Sequence, residues 1–157
     1  METVIIETWI RAPQQACFDA ARDLDLHRKS IPDTEEEAVA GRLSGLIEMG
    51  EEVTWRARHF GLRQRFTSKI TAFNAPRHFR DSMTKGAFKS FAHDHYFEPR
   101  DGGTVMKDEL VFEAPLGPLG RIAEKLFLRR YLERLLGQRA AILKESIEGS
   151  AYQSRSN

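Results

Sequence analysis

"TVIIETWIRAPQQACFDAARD", residues 3–23, changes its apolar period at one dipeptide. Ahead of Ala12-Pro13 the residues alternate: Val4, Ile6, Thr8 and Ile10 fall on one side, and Thr3, Ile5, Glu7 and Trp9 on the other. That two-residue period is a strand, and proline, which has no N–H to give a ladder, ends it. The segment from there to Ile31-Pro32 is helix-compatible, with Ala16, Phe18 and Ala20 or Ala21 able to face inward and a break predicted around Asp23 to Asp25. One broken helix or two short ones follow the first strand.

Residues 34–114 then read as a succession of strands: "TEEEAVAG", "EEVTWRARHF", "LRQRFTSKITAF", "HFRDSMTKG", "FKSFAHDHYFE" and "TVMKDELVFEA". Gly45, Gly50, Gly61, Asn74-Ala75-Pro76, Gly86 and Asp101-Gly102 punctuate them. Links this short join antiparallel neighbours. "PLGPLG" stops the sheet, and a helix is predicted from about Leu119 to Ile147, with Leu119, Ile122, Leu126, Leu132, Leu135, Ile142 and Leu143 recurring at three- and four-residue steps. A seven-stranded antiparallel sheet must curl and cover its apolar face, and this helix is the one element long enough to cover it. The fold class is therefore α+β, one domain over residues 1–148, with a polar, flexible tail at 149–157.

Composition bounds what such a domain does. The chain has 157 residues, 41% apolar and 30% charged, with a net charge of +1, so it exerts no global pull on nucleic acid. No apolar run approaches the roughly 20 residues of a membrane span. The N-terminus has no basic leader or small-residue cleavage site, which makes cytoplasmic residence the expectation. Cys17 is the only cysteine, excluding an internal disulfide and any multi-cysteine zinc site. The dense arginines of "RARHFGLRQR" fall on the outward parity of their strands, a solvated sheet face and not a base-stacking platform.

Strand parity assigns the inner face. Val53, Trp55, Ala57 and His59 point inward, as do Leu62, Gln64, Phe66, Ser68, Ile70 and Ala72, whereas Arg63, Arg65 and Lys69 point out. Phe79, Asp81, Met83 and Lys85 share one parity, so that Asp81 and Lys85 either pair at the mouth or reach for solvent. In "FAHDHYF", residues 91–97, Phe91, His93, His95 and Phe97 face inward, and in the last strand Thr104, Met106, Asp108, Leu110 and Phe112 do the same. A turn through Pro99 to Gly102 sets His93 opposite Asp108; a bulge at the glycines sets His95 there instead. Two histidines and a carboxylate are compatible with a metal site, with an acid–base pair whose candidates are His93, His95 and Asp108, or with polar groups that satisfy one another in a cavity wall. No third histidine or second inner carboxylate is securely placed, so no metal and no cofactor is expected.

The order of elements, together with "IRAPQQACFDAARD", "GEEVTWRARHFGLRQRFTSKIT", "GAFKSFAHDHYFEP", "GTVMKDEL" and "PLGPLGRIAEKL", resembles the SRPBCC superfamily of START-like and birch-pollen-allergen-like helix-grip proteins. Within it, the chain is similar to the bacterial polyketide cyclase/dehydrase-related subgroup sometimes labelled cell-division-inhibitor-like. The resemblance spans about Thr3 to Ile147 and implies a cavity between sheet and C-terminal helix for a hydrophobic or aromatic small molecule or lipid. It implies no metal, and the cysteine–histidine motif of Rieske relatives is absent. On this basis Trp55, Phe66, Met83, Phe91, Phe97, Met106 and Phe112 are the expected walls, with His59, His93, His95 and Asp108 orienting the ligand. Two alternatives stay open: a cofactor-independent cyclase or dehydratase using a His–Asp pair, and an interaction protein of an envelope or division pathway. The second would dock through "AEKLFLRRYLERLL", a segment that also reads as a core helix or a homodimer surface.

Overall fold

A computed structural model describes residues 1–115 and 117–149; residues 150–157 of the expected tail lie outside the described residues. Strand β1 (Glu2–Ile10) is followed by α1 (Gln14–Ala21), α2 (Leu24–Ser30) and a 3-10 turn (Pro32–Thr34). Six strands come next: β2 (Glu37–Gly41), β3 (Glu52–His59), β4 (Leu62–Asn74), β5 (His78–Lys85), β6 (Ser90–Arg100) and β7 (Gly103–Glu113). After them come α3 (Gly117–Ala123), a π-helical turn (Glu124–Leu128) and α4 (Arg129–Glu148). All seven strands form one antiparallel sheet in the order β1-β7-β6-β5-β4-β3-β2. This is the α+β helix-grip architecture.

The helix after β1 is split in two, and Asp23 is the reason. Its carboxylate accepts from the backbone N–H groups of Asp25 and Leu26 at 3.0 and 3.2 Å, capping α2 while α1 ends at Ala21. Phe18 of α1 then plugs one end of the sheet, meeting Phe73, Phe79 and Phe97 edge-on at centroid distances of 5.3–5.5 Å. Behind Phe18, Cys17 is fully buried beside Thr104, and burial pushes its thiol up to about 11 against the opposing pull of that hydrogen bond. The folded thiol thus holds its proton longer than the unfolded one. Its contribution to stability is intact below about pH 9 and is lost as pH rises toward 11. Iodoacetamide at mildly alkaline pH is expected to leave Cys17 unmodified in the folded protein and to alkylate it fully in urea, as intact mass will show.

Three local features differ from the expected pattern. A bulge between Ile70 and Ala72 shifts the parity of β4, so Ala72 pairs with Arg80 on the outer face and Phe73 takes the inner place opposite Phe79. Leu62, expected inside, is 66% exposed because it sits at the tip of the β3–β4 hairpin. The β6–β7 hairpin is tighter than a turn from Pro99 allows. Arg100 pairs with Gly103 across Asp101-Gly102, both at positive φ (51° and 75°), so His95 stands opposite Asp108 with no bulge. Pro99 is tolerated inside the strand because the β5–β6 pairing stops at Tyr96, leaving no ladder partner on that side.

The C-terminal helix differs from expectation at its start. Leu132, Leu136, Arg139, Ala140, Leu143 and Ile147 form the buried stripe of α4. Leu119, Ile122, Leu126 and Phe127, in α3 and the π turn, are instead more than half exposed. The core-helix reading therefore holds from Leu132 onward and fails before it. Among the described residues no helix is long and apolar enough to cross a membrane.

Candidate functional site

A cavity of about 410 Å³ lies between the concave face of the sheet and α4. Trp55 and Ala57 of β3, Phe66 and Ile70 of β4, and Leu132 and Leu136 of α4 supply its apolar wall. At the mouth, His59 Nδ1 is hydrogen-bonded to the Tyr131 hydroxyl, and Phe60 packs on the Tyr131 ring at 4.6 Å. These contacts tie the β3–β4 hairpin tip to the first turn of α4. Volume and lining are those of a small-molecule pocket.

The structure separates the expected wall residues into two sets. Trp55, His59, Phe66, Phe91, His93 and His95 do line the cavity. Phe97, Met106 and Phe112 do not: they are almost wholly buried in packed core, Phe97 under Phe18 and Phe112 beneath Phe88. Parity had placed them on the correct face, but α1 fills the space over Phe97 and Met106, so facing inward is not the same as facing the cavity. Met83 is half-buried beside Gly86 and off the wall. Asp108 also lies off the wall, directly behind the two histidines.

The polar part of the site is a five-residue cluster, two members of which the sequence did not assign to it. His93 Nε2 is hydrogen-bonded to Asp108 Oδ1 at 2.9 Å, and His95 Nε2 to Asp81 Oδ2 at 2.7 Å. His95 Nδ1 stands 3.0 Å from the same Asp108 oxygen without hydrogen-bond alignment, and the two imidazole centroids lie 3.8 Å apart with the rings tilted by 35°. Asp81 therefore does not pair with Lys85, which is exposed opposite Thr67. From α4, Arg139 comes within 3.4 Å of Asp108 Oδ1 and donates to the Ala21 carbonyl at 3.1 Å. Arg139 is 2% exposed. Its place on the stripe of Leu132, Leu136 and Leu143 was the available signal.

Burial dominates each group's protonation, and the neighbours decide the outcome. Burial would raise the Asp108 carboxyl, but the hydrogen bond from His93, the adjacent His95 ring and the charge of Arg139 hold it well below the usual carboxylate range. Asp81 is lowered against the same opposition by His95, His93 and Arg139. His93 is lowered by burial and by its neighbour His95. His95 goes the other way: burial pulls it down, yet two carboxylates together raise it. These directions favour charged carboxylates at Asp81 and Asp108 and the protonated form of His95 beside the Arg139 guanidinium, and the neutral form of His93. The outer face carries a separate group, in which Asp94 accepts from Arg80 at 2.8 and 2.9 Å and meets His78 at 2.6 Å. It is far from the cavity in chemistry as in place, since Asp94 points to the opposite side of β6.

The family model for polyketide cyclase / dehydrase and lipid transport matches residues 1–148. The chain belongs to that family. Its helix-grip fold is shared by solved structures. TTHA0849 from Thermus thermophilus superimposes with a TM-score of 0.72 at 21% identity, covering 92% of this chain and 99% of that one. A START superfamily protein from Mycobacterium smegmatis gives 0.71 at 13% identity, over 93% and 97% of the two chains. The major latex-like protein 151 from Panax ginseng gives 0.63 at 12%, over 94% and 98%. At such identities the likeness is one of fold. No curated protein matches the sequence. Across this polyketide cyclase / dehydrase and lipid transport family the fold is compatible with many chemistries, so function has to be argued from the cavity and its cluster.

Proposed function

We propose that the protein binds a hydrophobic or aromatic small molecule, or the apolar part of a lipid, in the cavity between sheet and α4. The observation that carries this is the contrast within the cavity wall. Trp55, Phe66, Phe91 and the leucines of α4 offer apolar area, while Asp81, His93, His95 and Arg139 converge at one place on it. Burying four ionisable groups against an apolar space is costly unless they are paired, and a ligand oxygen is what such a group of donors and acceptors orients. Ligand binding asks less of these residues than turnover does: apolar surface and one polar anchor suffice.

Trp55 supplies the test. It is one of two tryptophans, and the other, Trp9, lies on β1 with its indole N–H bonded to the Arg100 carbonyl, away from the cavity. In a Trp9→Phe variant, titration with a panel of fatty acids and polycyclic phenols is expected to change Trp55 emission saturably at 1:1 stoichiometry for at least one compound. A flat response across the panel from folded protein would remove the proposal.

A further inference from the structure

We propose that Asp81, His93 and His95 form a binding site for a divalent first-row transition metal ion, with Asp108 and Arg139 as its supporting shell and the remaining coordination positions open to the cavity. One donor atom from each of the three residues lies within 4.8 Å of the other two. The decisive feature is how the imidazoles are held. Asp108 Oδ1 stands at the far nitrogen of both rings, hydrogen-bonded to His93 Nε2 at 2.9 Å and 3.0 Å from His95 Nδ1 without hydrogen-bond alignment. That leaves His93 Nδ1 and His95 Nε2 on the side of Asp81, at 4.0 and 2.7 Å from its Oδ2. A carboxylate on the distal nitrogen of a metal-bound histidine is the usual device that fixes its tautomer and ring orientation; Asp108 does this for His93 and lies beside the distal nitrogen of His95.

The distances suit an ion. Metal–nitrogen and metal–oxygen bonds of about 2.0–2.2 Å set neighbouring donors roughly 3.0–3.5 Å apart. The 2.7 and 4.0 Å separations bracket that span, so the site closes by one contact opening and the other shortening. Binding exchanges the proton between His95 Nε2 and Asp81 for the metal, releasing it to solvent. Asp108 keeps its charge through Arg139, and its Oδ2 is buried with no hydrogen-bond partner, a further acceptor beside the ring nitrogens. Two imidazoles and a carboxylate are a donor set for iron(II), zinc(II) or cobalt(II), and all three residues face the cavity. The ligand class this implies is an oxygen donor, a carbonyl or an enolate on an otherwise apolar molecule. This last step rests on the proposed ligand-binding role; the metal site does not.

Cobalt(II) is the probe, because its visible absorption reports the coordination geometry. Untagged wild-type protein stripped with a chelator is expected to bind one equivalent with the visible bands of a four- or five-coordinate centre. Asp81→Asn, isosteric and checked for its thermal midpoint, removes a charged ligand and should bind more weakly by at least the roughly 10–100-fold that altering a supporting shell costs. Loss of saturable uptake in the wild type, or uptake that Asp81→Asn leaves unchanged, overturns the site. The wild-type titration decides even where histidine variants fail to fold. It uses no organic ligand, so a negative result leaves the Trp55 fluorescence test standing.

Discussion

Arg139→Met is expected to lower the unfolding free energy by about 3–5 kcal/mol, the range seen when one partner of a buried ion pair is removed. Methionine keeps most of the apolar volume, so the loss is electrostatic. In the wild type, Asp81 and Asp108 are balanced by His95 and Arg139; without the guanidinium the cluster carries an uncompensated charge in a largely buried site. The carbonyl of Ala21 also loses its donor. Adding Asp108→Asn to Arg139→Met returns the balance to one carboxylate against one imidazolium. The double variant should therefore be more stable than Arg139→Met alone, a sign that simple packing loss would not give. Urea denaturation of the three variants and the wild type measures the cycle.

Ala57→Trp is expected to abolish ligand uptake, weakening the best compound of the panel by about 100-fold or more, equivalent to ~2.7 kcal/mol. Ala57 is 6% exposed in the middle of β3, between Trp55 and His59 on the inner face, and its methyl group borders the cavity. An indole there occupies the space that the ligand would take. Overpacking a filled core costs about 1–3 kcal/mol, but here the added volume enters a void of about 410 Å³, so the fold should persist by circular dichroism. Retained fold with lost binding places the ligand in the cavity; retained binding places it elsewhere.

Much of this molecule is legible from its sequence, because period and punctuation are local properties. The two-residue alternation of residues 3–10, Ala12-Pro13, and the Asp101-Gly102 turn are each determined by backbone sterics within a few residues. Those signals give the number of strands, their antiparallel order and the inner face, and the inner placement of His93, His95 and Asp108 follows. What stays hidden is non-local. Which inward residues meet space and which meet α1 depends on where Phe18 docks, and so Phe97, Met106 and Phe112 pass for walls when they are core. The bulge after Ile70 is not signalled by any glycine in the strand, and it exchanges Ala72 for Phe73. Asp81 looks like a mouth residue until β5 is laid beside β6 and its carboxylate meets His95. Arg139 shares the buried stripe with leucines, an anomaly on that face that the density of nearby exposed arginines conceals.

The exposed start of the helix has a different origin. Leu119, Ile122, Leu126 and Phe127 keep helical spacing, yet they stand exposed, whereas α4 packs against β1. Periodicity identifies the apolar face of a helix and not the length over which a partner exists for it.

Native mass spectrometry of the wild-type protein, incubated with the same fatty acids and polycyclic phenols and sprayed from a volatile buffer, tests the central claim most directly. One ligand per chain on wild type, and none on Ala57→Trp, is the predicted result. A well-folded wild type that carries no adduct from any compound, or adducts equal in both proteins, would contradict the assignment of the cavity as the binding site.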